Sequence, residues 1–464
     1  MTRPVIVWLR RDLRLADQPA FAAAAKAGPV IPVYVLDDET PKHRKMGGAS
    51  RWWLHHSLAS LATDLEKIGS RLILKRGVAA EVLAKLAKQT NAAAIHCLRH
   101  YEPWWRNAER ALKGQLSEGC ALECHHGNYL MPPGSVTTGS GQPYKIYTPF
   151  WRALAQHMPP PEPVPAPKRL DAPQSWPESD TLSDWDLLPT KPDWAKGFAE
   201  EWTPGEAGAA ERLKAFHARA LHYEACRNLP SVEGTSRLSP HLHFGEISPA
   251  TVWHATMEAG GSVETFLKEL VWRDYAQNVI LQYPDYAKAN ARDGFDKFPW
   301  RDPSDPDVAA DIRAWQQGRT GYPLVDAGMR QLWATGWMHN RVRMVTASFL
   351  IKHLLVDWRE GEKWFWDTLV DADYGSNATN WQWTSGTGVD SNMFVRIMAP
   401  LTQSEKFDAA GYIRQWVPEL AGLSDKAIHD PEAAGKYVKG YPKKLIGHKE
   451  ARERALAAHG KIKA

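Results

Sequence analysis

Five short apolar runs open the chain: 4–9 (PVIVWL), 30–36 (VIPVYVL), 71–75 (RLILK), 93–98 (AAIHCL) and 121–125 (ALECH). Each has the length of a strand and the near-continuous apolar character of one buried on both faces. Between them the apolar spacing becomes helical, over 17–27, 48–69, 79–90 and 103–118. Strand and helix alternating at this interval predict a doubly wound parallel sheet. No GxGxxG follows the first run; WLRRDLRLAD stands there instead. A dinucleotide on a Gly-rich turn is therefore not supported, although the carboxyl edge of such a sheet is where ligands sit.

The pattern then changes twice. Residues 130–204 hold 15 of the 33 prolines, including PPPEPVPAP at 159–167, and read as an extended linker. Within it KIYTPFWRAL (145–154) is apolar enough to be anchored and partly helical. From about 205 to 420 strand signals vanish and helical periods dominate, as in SVETFLKELVWRDYAQNVILQ and MVTASFLIKHLLVDW. HKEARERALAAHG reads as a short exposed helix, and no fixed repeat is visible. The expected organisation is an α/β domain at 1–129, a Pro-rich linker at 130–204 and an all-helical domain at 205–464.

Charge and composition narrow the functions. Lys+Arg 57 against Asp+Glu 53 gives +4, which permits a local basic groove without implying nucleic acid. With 44% hydrophobic and 24% charged residues, wholesale disorder is excluded. Four cysteines without a CxxC pair make no disulfide framework. Cys120-x3-Cys124 followed by His125 and His126 looks like a metal cluster. Leu122 to His126 reads as a strand, however, whose side chains alternate between faces, so no metal is expected. Arg10, Arg11 and Asp12 stand behind a six-residue apolar run, which excludes a secretory core, and no run reaches the ~18 apolar residues of a membrane span. A reduced, soluble, cytoplasmic protein is expected. Its 22 tryptophans outnumber 14 tyrosines and 12 phenylalanines, and ask whether the indoles pack, stack on a ligand or carry electrons.

Four stretches of the helical region carry candidate chemistry. In ATGWMHNRVRMVTASFL (334–350), Trp337, Asn340, Arg341 and Met344 fall at i, i+3, i+4 and i+7, one face of a helix. That set suits a flat heteroaromatic ligand, or an interfacial stripe with Arg341 in a salt bridge. In FLKELVWRDYAQN (266–278), Phe266, Glu269 and Arg273 share a face flanked by Trp272. A Glu269–Arg273 surface pair is the plain alternative there. EGTSRLSPHLHFG (233–245) opens a helix with Thr235, Ser236 and Ser239 hydroxyls beside Arg237, a phosphate cradle or ordinary capping. DADYGSNATNWQWTSGTG (371–388) offers Asp371, Asp373 and Asn377 for a sugar hydroxyl, a metal or a cap. Trp381 and Trp383, two apart, would point to opposite sides of a helix, one toward a pocket and one into the protein.

Taken together these strings resemble a class I cyclobutane pyrimidine dimer DNA photolyase of the photolyase/cryptochrome family. The resemblance runs from WLRRDLRLAD through TPFWR, EGTSRLSPHLHFGEISP, ELVWRDY, GYPLVDAGMRQLWATGWMHNRVRMVTASFL, DWREGEKWF and NWQW to YIRQWVPEL. It implies a Rossmann-like antenna domain, a long connection and a helical FAD domain. By position it assigns Tyr223, Thr235, Ser236, Arg237, Leu238 and Ser239 to the FAD phosphates. Phe266, Glu269, Arg273, Trp337, Asn340, Arg343, Asp371, Ala372, Asp373 and Asn377 would complete the flavin pocket, with Asn377 facing flavin N5. Glu269, Trp272, Asn340, Arg341, Met344 and Trp383 would form the lesion pocket. Arg227, Arg396 and Gln403 would lie near DNA phosphates, and Trp381, Trp358 and Trp300 would form a photoreduction chain.

The implied activity is light-driven repair of cyclobutane pyrimidine dimers in UV-damaged DNA, by a monomer that flips the lesion out of the duplex. Photoexcited reduced FAD would donate one electron to the dimer, and Glu269 would hydrogen-bond the thymine anion that develops. The alternative is a cryptochrome-type blue-light photoreceptor; a light-independent flavin electron carrier is a third. The (6-4) photolyases carry histidines at the positions of Asn340 and Met344, and plant cryptochromes tend to Asp at Asn377 and a long tail. Here about 45 residues follow WVPEL. Folate-binding relatives carry an Asn-Glu pair near RHYEPWWRN (99–107), where this chain has Trp104 and Trp105. An antenna of 8-hydroxy-5-deazaflavin is preferred over methenyltetrahydrofolate, with a second flavin or an empty site also open.

Overall fold

The computed structural model describes residues 2–391 and 393–462. Two compact units emerge: residues 1–221 with 236–284 and 370–372, and residues 222–235 with 285–369 and 373–464.

In the first unit the five apolar runs become strands β1 (Val5–Leu9), β2 (Val30–Leu36), β3 (Ile73–Arg76), β4 (Ala94–Leu98) and β5 (Ala121–His125). All pair in parallel in the order β3-β2-β1-β4-β5. β1 and β2 are buried at every position, the reason their sequences lack polar alternation. The crossovers are α1 (Pro19–Ala27), α2 (Gly48–Lys67), α3 (Ala79–Thr90) and α4 (Pro103–Gln115). Proline opens α1 and α4, where a missing N–H costs nothing. α3 packs against α4, and their Leu83, Leu86, Ala108 and Leu112 join Ile6, Trp8, Ile31 and Ile95 in one core.

The strand order reverses between β2 and β4 around β1, the place where such sheets bind ligands. A buried polar network follows β1 there. Arg10 donates to Glu109 at 2.9 Å, and Asp12 accepts from the Arg10 backbone N–H at 2.6 Å and from Gln18 at 3.0 Å. Burial and the Arg10 charge push His100 down to about 3, so the imidazole beside Asp12 is neutral.

The Pro-rich stretch carries one two-turn helix, α5 (Tyr147–Leu154), as KIYTPFWRAL predicts. Two further helices of this unit are α6 (Ser239–Phe244) and α7 (Glu264–Gln282).

The second unit is helical. Its site-bearing helices are α8 (Pro323–Thr335), α9 (Asn340–Ser348), α10 (Trp358–Thr368) and α11 (Tyr374–Ser385). The single helix expected across 334–350 is broken. Gly336 ends α8 in the left-handed conformation at φ 68°, and His339 caps α9 by accepting from the Arg341 N–H. Trp337 therefore stands in the connection and does not share a helix face with Asn340, Arg341 and Met344. Glycine at the position after a helix tolerates this conformation because it has no Cβ.

Candidate active site

In the first unit the site residues gather on α6 and α7. The Ser239 hydroxyl donates to Asp371 Oδ2 at 2.6 Å, joining two residues assigned to the flavin that are 132 positions apart. Arg237, at φ 52°, enters α6 paired with Glu201, so its charge is already offset and the turn is a weaker anion cradle than its residues suggest. Ser236 caps the same turn by accepting the Leu238 N–H at 3.3 Å. Leu238 and Ala372 are buried.

α7 presents Phe266, Glu269, Trp272 and Arg273. Phe266 is buried against Phe216, with ring centroids 4.4 Å apart. Glu269 is half-buried, less enclosed than its apolar neighbours in sequence imply. Arg273 donates from Nη2 to the Leu242 carbonyl at 3.1 Å, while its buried Nη1 has no hydrogen-bond partner among the described residues. A buried guanidinium N–H without an acceptor is costly unless a ligand supplies one. Trp272 lies flat on Tyr147, with centroids 3.5 Å apart and planes 4° from parallel. Tyr147 is anchored by its hydroxyl to the Lys268 carbonyl at 2.8 Å. One face of the indole is thus covered from the linker helix α5, and a base could stack only on the other. Next along α7, Asp274 accepts the Leu130 and Met131 N–H groups at 3.3 and 3.0 Å. Burial raises its carboxyl to about 7.

In the second unit α9 to α11 carry the rest. Arg341 is held by Asn228 Oδ1, at 2.7 Å to Nη2 and 3.2 Å to Nε, and reaches Met344 Sδ at 3.6 Å. Asn228 was not foreseen, nor was Phe407, which lies 4.6 Å beneath the Arg341 guanidinium. The expected Arg341 salt bridge is therefore replaced by an amide partner. Asn340 is exposed and Met344 half-buried. Arg343 donates to the Met338 carbonyl at 2.7 Å and lies 5.9 Å from the buried Trp337 ring. Tyr223 is buried beside Arg227, 5.3 Å from ring to guanidinium. Thr235 is half-buried, as is Gln403 on a separate short helix.

Asp373 caps α11 by accepting the Ser376 N–H at 2.7 Å. One turn in, Asn377 donates its amide protons to Glu362 Oε1 at 2.9 Å and to the Glu362 carbonyl at 3.1 Å. Both protons are spent, which leaves Asn377 Oδ1 to accept. Glu362, fully buried on α10, is a partner the sequence did not announce.

Trp381 and Trp383 part as their spacing requires. Trp381 is 2% exposed, and Trp383 is half-buried at a cavity of about 570 Å³ shared with Arg292, Met393, Arg396 and His459. Two of that cavity's lining residues are tied by Lys352, which donates to the Met393 and Arg396 carbonyls at 2.7 and 2.9 Å. Burial pushes Lys352 down to about 7.

The three tryptophans of the expected chain each have their own neighbours. Trp381 meets Trp315 edge-on at 6.4 Å and Phe365 at 5.0 Å. Trp358 is fully buried and donates to Asn290 Oδ1 at 2.9 Å, and Trp300 lies 4.1 Å from Phe298. Trp358 and Gly361, three apart on α10, share a helix face. A Cβ on Gly361 would come within 2.1 Å of the Trp381 ring, so only glycine lets α10 approach it.

Residues 5–168 match the DNA photolyase family and residues 266–461 match the FAD binding domain of DNA photolyase. A deoxyribodipyrimidine photo-lyase of Agrobacterium fabrum is 50% identical, over 100% of this chain and 98% of its own length. The chain belongs to the photolyase/cryptochrome family. Within that family, a crystal structure of a class III photolyase from Agrobacterium tumefaciens is similar at 48% identity and a TM-score of 0.94, covering 100% of this chain and 98% of its own. Cryptochrome-1 of Arabidopsis thaliana is 39% identical over 97% of this chain and 69% of its own length. No described helix is long and apolar enough to cross a membrane.

Proposed function

We propose that this chain is a deoxyribodipyrimidine photo-lyase, which uses light and reduced FAD to split cyclobutane pyrimidine dimers in UV-damaged DNA. The observation that carries this reading is the fixed Asn377 amide. With both protons committed to Glu362, Asn377 offers an acceptor. A reduced flavin has an N–H at N5 where the oxidised ring has a lone pair, so the acceptor suits the reduced form. The unpaired Arg273 Nη1 and the Ser239–Asp371 pair supply the polar groups an anionic dinucleotide with a ribityl chain needs.

Bound, reduced FAD supplies a light-excited one-electron donor. The protein's part is binding and positioning. Arg227, Arg341 and Arg396 grip backbone phosphates, which makes affinity salt-dependent. Trp272 and Trp383 stack on the flipped bases, at about 1–3 kcal/mol per base. When protonated, Glu269 donates a hydrogen bond to the thymine as charge develops on it. Trp381, Trp358 and Trp300 relay electrons from the surface inward.

The 50% identity to a photo-lyase, against 39% to a cryptochrome, favours repair over signalling. Within the family, the likeness to a class III photolyase at 48% favours class III over the class I expected from the motifs. A second, antenna chromophore in the α/β unit, and a monomeric cytoplasmic enzyme, belong to the same proposal. The experiment is loss of dimers from an irradiated oligonucleotide under blue light, with the same mixture in the dark as control. Equal loss in light and dark, or none in either, overturns the reading.

A further inference from the structure

We infer that Cys97 and Cys124 are a redox pair, closing to a reversible disulfide that staples β4 to β5. The parallel register sets the two cysteines directly opposite one another. Adjacent strands lie about 4.8 Å apart, inside the roughly 4.4–6.8 Å between Cα atoms that a disulfide spans. The sulfurs already stand 3.6 Å apart, and side-chain rotation must close about 1.5 Å to reach a bond of about 2.05 Å. Cys120 and Cys226, the other two cysteines, have no such partner among the described residues.

The two thiols are chemically unequal, as attacking and resolving cysteines must be. Cys97 is wholly buried, and its bond to Cys124 together with burial pushes its thiol up. Cys124 is half-buried at the end of β5, and Cys97 and Arg99 bring its thiol down. Cys124 is therefore the accessible sulfur, open to attack on an oxidant, and Cys97 the protected one.

Glu109 also lies within 4.8 Å of both sulfurs, which raises a metal site as the competing use. Its carboxylate is held by Arg10 at 2.9 Å and faces Arg99 at 3.9 Å, so it acts as a counterion, and two guanidinium groups oppose a cation.

The chemistry needs a hydroperoxide as oxidant. The Cys124 thiolate attacks one peroxide oxygen; the O–O bond breaks, the other oxygen leaves as alcohol or water with the proton Cys124 released, and a sulfenic acid forms. The Cys97 sulfur then attacks Cys124, the S–O bond breaks, and water leaves with the Cys97 proton. Two thiols are oxidised by two electrons and one peroxide is reduced.

The test is hydrogen peroxide treatment of the purified full-length protein in the dark, with thiols counted after denaturation and disulfides mapped by mass spectrometry. The count should fall from four to two, linking the β4 and β5 peptides, and dithiothreitol should restore it. In Cys97→Ser, dimedone should trap a sulfenic acid on Cys124; in Cys124→Ser, Cys97 should stay reduced over the same exposure. Four surviving thiols, links through Cys120 or Cys226 alone, or zinc held by the pair and blocking oxidation until chelated would each overturn the inference.

Discussion

Asn377 and Glu362, fifteen positions apart on consecutive helices, are locked by two hydrogen bonds that fix which way the amide points. Removing the side-chain acceptor frees the amide to turn. Glu362→Leu should cost about 1 kcal/mol of flavin affinity, roughly a fivefold weaker retention, and raise the proportion of oxidised flavin. Glu362→Gln, which can still accept, should recover most of the loss. Flavin released on denaturation measures both; unchanged retention in the Leu variant would refute the role.

The flat contact of Tyr147 on Trp272 makes the linker helix part of the lesion surface. Tyr147→Leu should weaken dimer-DNA binding by about 0.5–1.5 kcal/mol, up to roughly tenfold, without altering the flavin spectrum. Trp272→Ala should cost more, about 1–3 kcal/mol. Fluorescence anisotropy with damaged and undamaged oligonucleotides separates the two effects.

Gly361 permits the approach of α10 to Trp381. Gly361→Ala should destabilise the fold by about 1–3 kcal/mol through overpacking, seen as a lower Tm. It should also slow photoreduction of oxidised flavin while enzyme reduced beforehand repairs near the normal rate. Trp381→Phe should reproduce the slow photoreduction with a smaller loss of Tm.

Asp274 gives a pH signature. Its carboxyl stands near 7 in the folded chain against 3.8 ordinarily, so between these values the native state binds the proton and the unfolded state does not. The stability it contributes is fully present below about 3.8 and is lost as pH rises through 7. Asp274→Asn does not titrate, so the advantage of the parent over this variant should grow as the pH is lowered from 7 toward 4. Paired thermal melts across that range check the sign.

Much of the α/β unit was legible because strands buried on both faces, as β1 and β2 are, leave unbroken apolar runs, and the apolar runs placed β1 to β5 within two residues even though β3 is half-buried and β5 has no fully buried position. The division of labour between Trp381 and Trp383 was legible too, since helix geometry alone separates residues two apart. The break at Gly336 was missed because apolar spacing continues across it, although glycine before the new helix was the available signal. Partners such as Asn228 for Arg341, Lys352 for the 393–396 loop and Tyr147 for Trp272 lie 41 to 125 positions away. No periodicity encodes which distant residue completes a pair.

The most direct measurement is dimer repair by the reduced, flavin-loaded protein on a thymine-dimer oligonucleotide under blue light. The account predicts loss of dimers proportional to absorbed light, none in the dark, and a strong decrease in Trp383→Ala at subsaturating DNA. Dimers that persist under light with reduced flavin bound would contradict it.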